Sequence, residues 1–171
     1  LVEKLFDHII MLGCGYSGQQ LIDTLLKTGK SFVVVDHDPR VIDELTKKGV
    51  NAVFGDVHDE ELFHILNVAK ADMVISLLPK TIDNYPILEY ISSLPVKQRP
   101  MYVASSEAGE EGFHLFHKGA DYVTVKSALE ADHINQVQRD VYNISASMPT
   151  TSSDHKHILS SRIPDKEYAQ I

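Results

Sequence analysis

The sequence has little cysteine, no surplus of positive charge and no long apolar run, and each shortage removes a class of protein. A single cysteine, Cys14, has no partner for an internal disulfide, which excludes a disulfide-stapled secreted fold and suits a reducing cytoplasm. Lysine and arginine number 16 against 24 aspartates and glutamates, a formal net charge of −8, and no basic cluster interrupts that balance. A nucleic-acid surface is excluded on those grounds. The apolar runs are strand-sized, so none spans a membrane, and no signal peptide is visible. The Gly-x-Ser-x-Gly elbow of a serine hydrolase is missing. So is an initiator methionine: the chain opens on Leu1-Val2-Glu3-Lys4, as an excised piece of a longer protein or a processed chain would. What is present is an ordinary hydrophobic fraction, 43 % of 171 residues, enough for one domain, or one domain with a tail.

That domain is organised around its first unit. His8-Ile9-Ile10-Met11-Leu12 is an apolar run, and Gly13-Cys14-Gly15-Tyr16-Ser17-Gly18 follows at once. Leu21, Ile22, Leu25 and Leu26 recur at helical spacing up to Gly29, and Phe32-Val33-Val34-Val35 ends on Asp36. The order is strand, glycine turn, helix, strand, acid. Asp36 lies 18 residues beyond Gly18, close to the roughly 20 of a dinucleotide-binding unit. In that unit Gly13 permits the tight turn, Gly15 lets a diphosphate approach the backbone, and Gly18 lets helix and strand pack closely. The amides and dipole of the new helix hold the phosphates. Asp36 accepts hydrogen bonds from the adenosine ribose and repels a 2′-phosphate. The unit therefore favours NAD(H) or a plain adenine nucleotide over NADP(H), with Arg40 near enough to keep NADP(H) open. Two expectations attach to Cys14: a small residue filling a tight turn, or a thiol with a lowered pKa near a helix N-terminus.

The rest repeats the unit. Asp38-Pro39 opens a helix with Val41, Ile42 and Leu45 buried and Gly49 at its end. Residues 51–54 form a third strand, and Asp59, Glu60 and Glu61 crowd the next helix start, whose inner face is Leu62, Ile65 and Leu66. Residues 73–78 read as an uninterrupted apolar strand buried on both faces. A loop over 81–85, a helix from Pro86 with Ile87, Leu88 and Ile91, and a surface connection over 95–100 follow. Strands over 101–104 and 121–125 flank a helix over 109–118, and a last helix runs from Ser127 to about Tyr142. This alternation predicts an α/β, doubly wound Rossmann-type fold: a six-stranded parallel sheet of order 3-2-1-4-5-6 with helices on both faces. The ligand belongs at the carboxyl edge of strands one, two and four. The predicted organisation is a lead-in over 1–7, the nucleotide-binding domain over 8–144, and a Ser/Thr/Pro linker and C-terminal tail over 145–171. Residues 158–171 are open between a docked short helix and a loose end.

With these residues laid out, the chain resembles the RCK or KTN (TrkA-N type) nucleotide-binding regulatory domains of potassium channels, potassium uptake systems and cation/proton antiporters. The resemblance covers about residues 6–144 and rests on four features. They are the Gly13–Gly18 turn; Val34-Val35-Asp36-His37-Asp38-Pro39 with its Val-Ile-Asp-Glu-Leu helix; Gly55-Asp56-Val57-His58-Asp59; and Ala69-Lys70-Ala71-Asp72 with Lys118-Gly119-Ala120-Asp121-Tyr122-Val123. It implies that Gly13, Cys14, Gly15, Tyr16, Ser17 and Gly18 hold phosphates and that Asp36, with His37 beside it, holds the adenosine ribose. Asp56 and Val57 would flank the adenine, and Leu77 and Leu78 would sit beside the ribose. Tyr16 stands where the family often has a basic residue, so phosphate binding leans on amides and Ser17, and the choice among NAD, NADH, ATP, ADP and AMP stays open. The loop Pro79–Tyr85 also departs from the commoner family version.

The resemblance implies a cytoplasmic sensor at the inner face of the cell membrane, its partner a membrane-embedded cation channel or antiporter, fused or separate. It implies a homodimer or higher homo-oligomer paired through later helices. No catalytic residue and no metal site is assigned, and no enzyme activity is expected. Two other readings stand beside it. One is an NAD-dependent oxidoreductase fragment, with Tyr85, Lys80, His114 and His117 as acid/base candidates and His114 with His117 as a metal pair; too little chain follows the sixth strand for a substrate domain. The other is a scaffold that binds no ligand and dimerises, with the helix 127–142 as one candidate surface; its Leu129, Ile134, Val137 and Val141 are equally explained by packing on their own sheet.

Overall fold

Alternate residues of each strand choose opposite faces, and that period of two sorts the apolar side chains into two cores. The structure, a computed structural model, describes residues 5–142 and 158–160. Its elements are β1 (His8–Leu12), α1 (Tyr16–Thr28), β2 (Phe32–Asp36), α2 (Pro39–Lys47), β3 (Ala52–Phe54), α3 (Glu60–Ile65), β4 (Ala71–Ser76), α4 (Tyr85–Ser93), β5 (Met101–Ser106), α5 (Gly109–His117), β6 (Tyr122–Val125), α6 (Lys126–Tyr142) and β7 (Ile158–Ser160). Ile10, Leu12, Val33 and Val35 face one way, into a core with Phe63, Leu66, Ile87, Leu88, Tyr102 and Leu115 under α3, α4 and α5. Ile9, Met11 and Val34 face the other way, against Ile22, Leu25 and Leu45 of α1 and α2. Each fully buried aliphatic side chain contributes about 1.5–3 kcal/mol.

The sheet order is β3-β2-β1-β4-β5-β6-β7, and the pairings from β3 through β6 are all parallel. The six-strand Rossmann order predicted from the alternation is therefore present. The seventh strand is an addition: β7 runs antiparallel to β6, with Val123 opposite Leu159. Three residues are too few to show a period, which is why residues 158–171 read as open between helix and loose end. Leu1 to Lys4, the linker residues 145–157 and the tail 161–171 lie outside the described residues.

The helix ends follow the side chains. Gly49 (φ 74°) and Gly119 (φ 108°) end α2 and α5, and Val50 and Ala120 donate back to the carbonyls of Leu45 and Leu115 at 3.0 Å each. Three elements differ most from the sequence reading. β4 starts two residues earlier and stops at Ser76, because a register shift between His8 and Ile9 brings Ala71 opposite His8; Met73 and Ile75 are half-buried rather than enclosed on both faces. Leu77 and Leu78 therefore sit just past the strand, although the Leu77 amide still donates to Leu12 at 2.9 Å. On α3 the inner face is Leu62, Phe63 and Leu66, with Ile65 exposed, since Phe63 packs on Tyr90 with ring centroids 5.2 Å apart. Residues 81–84 form a 3-10 turn that runs straight into α4.

Candidate functional site

The three loops leaving β1, β2 and β3 meet the loop leaving β4 at the carboxyl edge, where a doubly wound sheet divides. Gly13 leaves β1 at φ 82°, a conformation that costs any other residue about 1–2 kcal/mol. Its amide donates to Val35 at 2.8 Å. At Gly18 a Cβ would stand 3.2 Å from the Gly13 carbonyl oxygen and 3.4 Å from Leu77 Cδ1, so the first turn of α1 lies close on the strand end. At Gly15 a Cβ would meet nothing within 4 Å. The chain itself does not need that glycine; only something placed above it would. α1 starts there with no side-chain cap and no acid in its first turn.

Asp36 ties this turn to β2. One carboxylate oxygen accepts from the Cys14 amide at 2.8 Å and the other from the Asp38 amide at 2.9 Å. Each oxygen keeps a second lone pair for another donor. His37 Nδ1 lies 3.6 Å from the same carboxylate, its ring largely exposed. Arg40, the residue that kept NADP(H) open, is engaged elsewhere: its guanidinium grips Asp38 at 2.7 and 3.1 Å. Those bonds hold the Asp38 carboxyl down at about 2. The Cys14 thiol is buried, and burial, helped by the Asp36 charge, pushes its pKa up. Cys14 fills the turn; the lowered-pKa expectation is corrected.

Opposite, Gly55 donates to the Asp36 carbonyl at 3.1 Å, carrying the chain from β3 into the site. Asp56 Oδ1 accepts from the His58 amide at 2.9 Å and faces His58 Nδ1 at 2.8 Å; these bonds lower the Asp56 carboxyl. Val57 between them is buried. The wall after β4 rests on a buried polar chain. The Tyr102 hydroxyl donates to Asn84 Oδ1 at 2.8 Å, and Asn84 Nδ2 donates to the carbonyls of Lys80 and Thr81 at 3.2 Å each. Tyr102 is fully enclosed, and burial raises its pKa strongly.

Between these walls lies a cleft of about 400 Å³, within the range of small-molecule sites. Of the residues assigned from sequence, Gly13, Asp36, His37, Asp56, Val57 and Leu78 line it. Cys14 and Gly18 lie behind the turn, while Gly15, Tyr16 and Ser17 continue the rim as exposed residues outside the lining. Leu77 packs toward α1 and α2 instead of into the cleft. Sequence reasoning missed His58 and Asp83, which also line it; His58 was visible only as one residue of the Gly55–Asp59 step. The acid/base candidates are not brought together. Lys80 borders the cleft, Tyr85 lies under the Lys118 ammonium at 5.0 Å, and His114 and His117 are exposed on α5. Among the described residues no group of three or more His, Cys, Asp or Glu is placed to hold a metal.

A parallel sheet of this order with an uncapped glycine turn beside an acid defines a Rossmann-type nucleotide-binding class of domain. The sequence profile of the TrkA-N domain family matches residues 9–126, and the chain belongs to that family. It is 33 % identical over 92 residues to the glutathione-regulated potassium-efflux system protein KefC of Cronobacter sakazakii, covering 54 % of this chain and 15 % of the relative's length. The TrkA-N domain of the Escherichia coli inner membrane protein ybaL shares the fold, with TM-score 0.71 at 22 % identity, over 79 % of this chain and 98 % of that one. The GsuK channel bound to NAD is 26 % identical, with TM-score 0.65, over 75 % of this chain and 23 % of that one. GsuK bound to ADP matches at TM-score 0.67 and 25 % identity, over 75 % of this chain and 34 % of that one.

Proposed function

We propose that this chain is the nucleotide-sensing regulatory domain of a membrane cation transporter, with its domain over residues 8–144. It takes NAD(H) or an adenine nucleotide (ATP, ADP or AMP) at the carboxyl edge of β1, β2 and β4. The observation that carries the proposal is the start of α1: an uncapped helix end, with open space over Gly15, next to Asp36. The diphosphate or phosphate lies over residues 13–18, the ribose meets Asp36 and His37 with Leu78 beside it, and the base lies against residues 56–57. The NAD-bound and ADP-bound forms of GsuK support this choice of ligands. The engagement of Arg40 with Asp38 ties up the arginine closest in sequence to Asp36, which favours NAD(H) over NADP(H).

The proposed partner is a membrane-embedded potassium channel or cation/proton antiporter, fused or separate, with this domain on its cytoplasmic face. Binding regulates it if the nucleotide has different affinity for two states of a domain dimer. Leu129 and Ile134 of α6 are 44 % and 60 % exposed. Packing on their own sheet therefore does not account for them, which favours a second copy; the side chains of Val137 and Val141 lie outside the described residues. No catalytic role is proposed. The test is calorimetric titration with NAD, NADH, ATP, ADP, AMP and NADP. At least one of the first five binds, and NADP binds at least about tenfold more weakly than NAD, a difference of about 1.4 kcal/mol. Silence from all six overturns the sensor, and equal affinity for NADP overturns the role of Asp36.

A further inference from the structure

We propose that His58 is a proton-operated latch across the mouth of this cleft, joining the loop after β3 to the turn before α4. Its effect on affinity rests on the nucleotide reading above; the latch itself rests on the chain's own geometry. The imidazole is held on one side by its own loop, where Asp56 Oδ1 accepts from the His58 amide at 2.9 Å and faces Nδ1 at 2.8 Å. Its other nitrogen, Nε2, points across the mouth at Asp83 Oδ1, 3.6 Å away. Asp83 is carried by the turn that Tyr102 and Asn84 hold from beneath.

A neutral imidazole has one N–H. With Nδ1–H donated to Asp56, Nε2 presents a lone pair to the Asp83 carboxylate, and 3.6 Å is too long for a hydrogen bond. An imidazolium donates from both nitrogens, so protonation draws Asp83 in through a charge-assisted bond and ties the two walls together. Imidazole is the side chain whose charge changes between about pH 5 and 8. The other charged or titratable groups around His58 are Asp36, His37 and Lys80 on the cleft side, and Glu60, Glu89, Tyr85 and Tyr90 on the second cavity, of about 650 Å³, that His58 also borders. The loop that the latch fixes carries Asp56 and Val57, the residues placed at the base. Closing it in acid narrows the entrance, and nucleotide affinity falls with pH.

The test is an NMR titration of the ¹⁵N-labelled chain from pH 8 to pH 5, following the His58 ring and the Asp83 amide, with ADP affinity measured at both ends. Wild type, Asp83→Asn and His58→Gln are compared, and near-neutral melting curves identify any variant that fails to fold. In the wild type ring and amide move with one midpoint, and ADP affinity drops about three- to fivefold in acid, the size of an exposed ion pair. In Asp83→Asn the ring titrates without the amide, and in both variants the affinity change shrinks. Separate midpoints in the wild type, or ADP affinity that rises in acid, overturn the latch. A shared midpoint lost in Asp83→Asn, together with no binding of NAD, NADH, ATP, ADP or AMP at pH 8, upholds the latch and overturns the nucleotide reading instead.

Discussion

Of the helices that begin at the carboxyl edge of this sheet, α1, α2 and α3 leave the strands around the cleft in two different ways, while α4 and α5 also start without a side-chain cap. α2 and α3 close their first turns with their own side chains: Asp38 accepts from the Arg40 amide at 2.9 Å and Asp59 from the Glu61 amide at 3.0 Å. Pro39 presets the first position of α2, and Glu60 and Glu61 add charge to the dipole end of α3. α1 does none of this. It starts at Gly15 without a cap or an acid, on a turn that needs glycine at 13 for its φ and at 18 for its packing. An aspartate cap is worth about 1 kcal/mol, and the chain forgoes it at the one of these three starts that carries the glycine fingerprint. On the proposed reading the missing acceptor is the ligand's phosphate.

Substitutions can break or sharpen this contrast. Asp36→Ala has the largest expected effect, because Asp36 serves both sides of it. Nucleotide binding weakens by about 1.5–3 kcal/mol through the lost ribose bond. The same change frees the amides of Cys14 and Asp38, lowering stability by about 1–3 kcal/mol in urea unfolding. Lost affinity at unchanged stability would separate the two roles. Gly13→Ala is expected to cost about 1–2 kcal/mol of stability, since its φ of 82° is retained only under strain; an unchanged melting point would show that the turn relaxes. Asp59→Ala should remove about 1 kcal/mol of stability and leave nucleotide affinity alone. A fall in affinity there would erase the distinction between closed and open helix starts.

The smallest effect tests a group remote from all three. His8 is fully buried, its Nε2 3.0 Å from the Leu66 carbonyl oxygen and its Nδ1 without a hydrogen-bond partner among the described residues. Burial holds its pKa below the usual 6.5. The unfolded chain therefore binds a proton that the folded chain resists, so this contribution to stability is complete above pH 6.5 and is lost as pH falls below it. His8→Gln should flatten that decline in urea melts between pH 7 and pH 5, and a decline of unchanged slope would assign it to other groups.

How much of this was legible in the sequence depends on range. The glycine turn, Asp36 and the caps at Asp38 and Asp59 are local signals, written within a few residues, and alternation of elements was enough to give the strand order through β6. The ends of β4 were less legible because a register shift at His8 moved them. The inner face of α3 was set by Tyr90, far along the chain. β7 is too short to carry a pattern. Within the site, the commitment of Asp36 to two backbone amides and the approach of His58 to Asp83 depend on where separate loops arrive. The spacing of residues 58 and 83 says nothing of that approach; the crossover from β3 to β4 does.

The measurement that tests the central claim most directly is the behaviour of Gly15→Asp. Gly15 already has extended backbone and open space for a side chain, so aspartate there can cap α1 as Asp38 and Asp59 cap their helices. Melting curves with and without NAD, NADH, ATP, ADP and AMP read both consequences at once. The account predicts a variant as stable as the parent, or more stable by up to about 1 kcal/mol. It also predicts that the parent, with its preferred ligand at 100 times the dissociation constant, gains about 2.7 kcal/mol and that the variant gains none. A variant that still gains that stabilisation would show that the open end of α1 is not where the nucleotide is held.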